Sequence, residues 1–97
     1  MDALQVIAEP RRRDILRLVW DRELAAGDIA RRFDVTFAAV SQHLGVLRDA
    51  GFVSMRPEGR TRLYKADRKA LGPLRPMLEM MWGDSLDRLV DLIDEKR

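Results

Sequence analysis

The sequence predicts a mainly α-helical single domain, residues 1–97, that carries one small β-hairpin. Three observations predict it. A chain of 97 residues fits one domain and leaves no room for two. Its 46% hydrophobic and 35% charged residues are the balance of a folded globular protein rather than a disordered tail. Apolar residues recur at spacings of three and four along most of the chain, and only the stretch from 52 to 66 alternates as strands do.

Leu4, Ile7 and Ala8 predict a short first helix. Pro10 opens a second, at the one position where a missing N–H is harmless. Ile15, Leu16, Leu18 and Val19 continue it to about Trp20, with Arg11, Arg12, Arg13 and Arg17 around its polar side. Leu24 is an isolated apolar anchor after a turn, and a short helix from about Gly27 to Phe33 buries Ile29, Ala30 and Phe33. Asp34 and Val35 make a tight connection to Thr36, a good N-cap for the next helix. In that helix, Phe37 to Asp49, the residues Val40, Leu44 and Leu47 share one face, and Gly51 is the expected left-handed stop. Two strands, Phe52 to Arg56 and Arg62 to Ala66, are joined around Pro57, Glu58 and Gly59. Asp67 caps a brief turn that Gly72 and Pro73 interrupt. A final helix is expected from about Leu74 to Asp94, with Leu74, Leu78, Met81, Trp82, Leu86, Leu89, Val90 and Ile93 on one stripe.

Composition removes several function classes. The chain has no cysteine and one histidine, so thiolate metal sites, disulfides and histidine-rich clusters are excluded. No uncharged stretch approaches the ~18 residues of a membrane span. The first residues lack the basic-then-apolar order of a secretory signal, so the expected compartment is the cytoplasm. No nucleophile–base constellation or glycine-rich phosphate loop is visible, so no enzyme and no cofactor are expected. Charge is uneven. Residues 1–70 carry 14 Lys/Arg against 10 Asp/Glu, residues 71–97 carry 4 against 6, and 15 of the 18 cations are arginine, which suits phosphates and guanine edges.

Three helices followed by a basic hairpin is the order of a winged helix–turn–helix. The segments P-R-R-R-D-I-L-R-L at Pro10–Leu18, V-S-Q-H-L-G-V-L-R-D-A-G at Val40–Gly51 and G-R-T-R-L-Y at Gly59–Tyr64 resemble the ArsR/SmtB-type family of bacterial repressors in order and spacing. The resemblance spans residues 10–66, which it marks as a DNA-binding core. W-G-D-S-L-D-R-L at Trp82–Leu89 resembles a branch without metal-binding residues. The family's cysteine pair would fall at Ala25 and Gly27 in E-L-A-A-G-D-I, and its other site needs histidines where the last helix offers only Asp84, Asp87 and Asp91. No metal is therefore expected.

The helix from Phe37 to Asp49 is the candidate for insertion in a DNA groove, since its outer residues are short and uncharged, unlike a typical solvated face. Gln42 can bond bidentately to adenine, Ser41 to bases or phosphate, and Ala38 or Ala39 can meet a thymine methyl. Thr36 and the free N–H groups at the helix start suit a phosphate. His43 has two readings: near DNA, as the resemblance implies, or bonded structurally to the preceding turn. Arg56, Arg60 and Arg62 of the hairpin suit the phosphate backbone or the minor groove. Arg11, Arg12 and Arg13 oppose the dipole at a helix start and read as mainly structural.

A stripe as apolar as that of the last helix is costly to leave in water, at about 1.5–3 kcal/mol per large side chain. Leu78, Met81, Trp82, Leu86 and Leu89, helped by Leu4 and Ile7, are expected to form a homodimer seam through the N- and C-terminal helices. Folding back on the same domain, or lining a ligand pocket, are the other uses of such a stripe. The expected function is a sequence-specific, homodimeric transcriptional repressor on double-stranded DNA. The alternative is a winged-helix protein-interaction module that has left DNA.

Overall fold

Each helix starts where local chemistry starts it. In the computed structural model, which describes residues 1–83, α1 (Ala3–Ala8) opens with a capping box in which Asp2 and Gln5 satisfy each other's backbone N–H groups. α2 (Pro10–Leu18) has Pro10 at its first turn and is capped by the Glu9 carboxylate, which accepts from Arg11 N–H. α3 (Ala26–Phe33) ends on Asp34 in the left-handed conformation (φ 53°), which an Asx residue tolerates. α4 (Phe37–Asp49) begins under the Thr36 hydroxyl, which accepts from Ala39 N–H at 3.1 Å. Its end is a Schellman motif: Gly51 (φ 83°) donates to the Arg48 carbonyl and Phe52 to the Leu47 carbonyl, both at 2.9 Å.

The expected hairpin is part of a three-stranded sheet. β2 (Val53–Glu58) and β3 (Thr61–Ala66) pair antiparallel from Val53–Ala66 to Glu58–Thr61, so the connection is the two residues Gly59 and Arg60 rather than a loop around Pro57. Gly59 (φ 61°) takes the first loop position, where a two-residue turn of the II′ type needs glycine. Pro57 is tolerated because β2 is an edge strand. The third strand is β1 (Leu24–Ala25), which pairs with β3 through Leu24–Tyr64 and Ala25–Leu63 and gives the order β1-β3-β2. Two residues are too few for alternation to register in sequence, so Leu24 read only as an anchor.

Ile15, Leu16, Val19, Ile29, Val40, Leu44 and Leu47 are fully buried and join α2, α3 and α4 in one core. The sheet is tied to it by hydrogen bonds from Ala66 to the Val19 carbonyl and from Asp67 to the Phe52 carbonyl. A 3₁₀ turn (Lys69–Leu71) leads into α5 (Leu74–Trp82).

The last helix departs from expectation. α5 stops at Trp82, with Gly83 in the left-handed conformation (φ 65°), so the single helix expected from 74 to 94 is interrupted there. Leu86 and Leu89, with Val90, Ile93 and the three aspartates, lie outside the described residues. Two expected seam residues pack inside their own domain: Leu78 is 0% exposed and Ile7 is buried. Trp82 is half-buried, its ring edge-on to Trp20 with centroids 4.9 Å apart. The apolar stripe thus divides, folding Leu78 and Trp82 inward while Met81 stays exposed; Met77 and Met80 beside it, and Leu4 on α1, are exposed as well. Among the described residues no helix is long and apolar enough to cross a membrane.

Candidate nucleic-acid interface

α4 is held by its buried stripe of Val40, Leu44 and Leu47, which turns two flanks and an outer ridge toward different surroundings. Ala38, Ser41, Gln42 and Gly45 are exposed on the ridge and the flank beside the sheet. Ser41 and Gln42 form no side-chain hydrogen bond among the described residues, so their polar groups stand free. Ala39 is partly turned into the domain. Thr36 Oγ1 is occupied as an acceptor by the helix cap, and its own proton remains to donate.

Across from α4 stand the turn and the start of β3. Arg60 and Arg62 are exposed and have no hydrogen-bonding or ionic partner among the described residues. Strand alternation puts Arg62 on the same side as Tyr64 and the buried Ala66, the side that faces the helices. An open groove of about 540 Å³ is lined by Phe37 and Ser41 of α4, by Ala25, Ala26 and Gly27 where β1 meets α3, and by Arg60, Thr61, Arg62 and Tyr64 of the hairpin. Sequence reasoning had not singled out Phe37 or Tyr64.

Two of the expected contact residues have other neighbours in the structure. Arg56 is engaged by acids: its Nε and Nη2 donate to the two oxygens of Glu23 at 2.8 and 3.1 Å, and Nη2 reaches Glu58 at 3.5 Å. The hydrogen bond from Arg56 holds the Glu23 carboxyl below its usual range, and Glu23 in turn reinforces the charge of Arg56. Strand pairing places Arg56 opposite Leu63, on the face away from Arg62. His43 lies on the other flank of α4, half-buried, with Nδ1 buried and without a hydrogen-bond partner. Burial lowers its pKa first, then the Arg12 charge, against an opposing pull from Glu9 and with a further push from Arg11. It faces the start of α2 and not the ridge.

The arginine run is engaged within the domain. Arg12 donates to the Val6 and Gln5 carbonyls at 2.7 and 3.2 Å, and Arg13 to those of Ile7 and Ala8 at 2.8 and 3.0 Å. They close the carbonyl end of α1, where positive charge is favoured. Arg11 lies 5.1 Å from the centroid of the Phe33 ring. Residues at the inherited metal positions do not fit a metal: Ala25 and Gly27 carry no donor side chain. Among the described residues no cluster of three or more histidine or acidic side chains is placed to bind one.

Three helices, the last two joined by a tight turn, and a three-stranded sheet with a basic hairpin tip define a winged helix–turn–helix. Comparison with known proteins gives the family. Residues 9–55 match the bacterial regulatory protein arsR family. The chain is 39% identical over 94 residues to the HTH-type transcriptional regulator Rv2034 of Mycobacterium tuberculosis, covering 97% of this chain and 88% of that one. The crystal structure of a possible transcriptional regulator for arsenical resistance matches with a TM-score of 0.72 and 42% identity, over 94% of this chain and 95% of the other. The homodimeric winged helix-turn-helix DNA-binding domain of Mb0332 from Mycobacterium bovis, described as a possible ArsR-family transcriptional regulator, matches with a TM-score of 0.71 and 25% identity, over 82% and 74% of the two chains. The protein belongs to the arsR family of bacterial regulatory proteins. The family and these relatives are regulators, not enzymes.

Proposed function

We propose that the protein is a homodimeric, sequence-specific transcriptional repressor that acts in the bacterial cytoplasm on double-stranded DNA. α4 enters the major groove, and the β2–β3 hairpin lies on the adjacent backbone or in the minor groove. The observation that carries this reading is the pairing of a slim, uncharged ridge with unpartnered cations. Ala38, Ser41 and Gln42 are exposed and free to meet base edges, and Arg60 and Arg62 line one groove with Ser41. The homodimer is supported by the homodimeric relative from Mycobacterium bovis and by the exposed methionines of α5. Two-fold symmetry sets the recognition helices about one DNA turn apart, ~34 Å, so the operator is an imperfect palindrome. A dimer seated across a promoter represses by occluding polymerase, which needs no catalysis.

The test begins with selection of binding sequences from a pool of randomised duplexes, followed by titration of the recovered site and of random DNA. An enriched palindrome is expected, and transcription from a promoter that holds it falls when the protein is added. Gln42→Ala weakens the selected site by ~1–3 kcal/mol and nearly spares random DNA. No enrichment in low salt would overturn the DNA-binding reading in favour of a protein-interaction module. Equal loss on both DNAs would remove Gln42 from direct readout.

A further inference from the structure

We infer that Phe37 is a specificity-determining residue that reads a thymine 5-methyl group at the major-groove edge of the operator. The inference rests on the regulator reading above. Phe37 is the first residue of α4, fixed by the Thr36 cap, and its side chain is 60% exposed. The exposed residues that follow it toward the sheet, Ala38, Ser41, Gln42 and Gly45, are small or polar. Phe37 therefore supplies the bulky apolar surface of that face.

The groove assigns this ring a definite neighbour. The same groove is lined from the hairpin by Arg60, Thr61 and Arg62, whose charges and hydroxyl suit a phosphodiester strand. A strand held there leaves the phenyl ring, which has neither donor nor acceptor, pointing at the bases. The N-terminal residues of a recognition helix meet base edges, and the one apolar feature that major-groove edges offer is the thymine methyl. Backbone anchoring by Arg60 and Arg62 fixes register, so the ring meets the same base pair in each half-site. Withdrawing one methyl from such a contact weakens binding about fourfold, and both half-sites together about 15-fold.

The test replaces thymidine by deoxyuridine, one symmetric pair at a time, across the selected operator, with wild-type protein and Phe37→Ala. One symmetric pair is expected to weaken wild-type binding by about 15-fold, and the same replacement leaves Phe37→Ala unaffected. The wild-type scan locates the methyl contact without any substitution, and Phe37→Ala, at an exposed position, then assigns it to the ring. The inference is overturned by a flat scan, by a methyl effect that persists in Phe37→Ala, or by a Phe37→Ala loss that is equal on operator and random DNA. If the pool yields no operator, this inference and the regulator reading fall together. A recovered operator with a flat scan overturns Phe37 alone.

Discussion

Arginine is the commonest cation in the chain, and its side chains divide by what they touch. Arg12 and Arg13 spend their donors on the carbonyl end of α1, and Arg56 is held bidentately by Glu23. Arg60 and Arg62 are left without partners among the described residues. A cation already matched by carboxylates gains little from a phosphate, because it must first lose them. Titration of operator binding over a range of salt concentrations separates the two groups. Arg60→Ala and Arg62→Ala each lower the slope of log affinity against log salt by about one unit. Arg56→Ala leaves the slope unchanged and lowers thermal stability only slightly, since the pair it breaks is exposed to solvent. A reduced slope for Arg56→Ala would show that it exchanges Glu23 for phosphate.

At the scale of an element, α4 combines strong end signals with a weak interior. Thr36 and the Schellman motif fix both ends, yet Gly45 sits in the middle, where glycine costs about 1 kcal/mol relative to alanine. A methyl group added at Gly45 would meet nothing within 4 Å. Gly45→Ala therefore stabilises the fold by about 0.5–1 kcal/mol in denaturant titration. No gain in midpoint would mean that the helix is strained at this turn.

The ends and buried faces of α2, α3 and α4 were legible because caps, Pro10, Gly51 and the spacing of apolar residues are local signals. Phe37 was hidden by the same rule that found the core. It precedes Val40 by three and shares the edge of the stripe, but in the first turn of the helix there is no domain beside it to bury the ring. The neighbours of His43 and Arg56 were illegible for a related reason. Neither the flank of α4 that meets α2 nor the reach of Glu23 across the sheet is encoded in neighbouring residues.

At the scale of the whole molecule, a 97-residue chain buries only about 60–65% of its unfolded surface, so a second subunit is a natural source of further stability. The structure changes which residues can supply that seam. Leu78 and Trp82 serve their own domain, and substituting either would damage the fold before it tested association. Met77, Met80 and Met81 stand at helical spacings of three and one on the outer side of α5, and Met80 is 82% exposed. A charge placed at Met80 therefore leaves the monomer's packing intact and acts only if a second subunit covers it. Met80→Glu is expected to unfold at the wild-type midpoint at low concentration, yet to sediment as a monomer at micromolar concentration. Because two tethered half-site contacts exceed one by about 10²–10⁴, operator affinity falls by that order while binding to a single half-site is unchanged. An intact dimer would place the seam elsewhere on the molecule. A monomer that kept full operator affinity would instead show that the two recognition helices bind independently, and with that the palindromic operator would lose its physical basis.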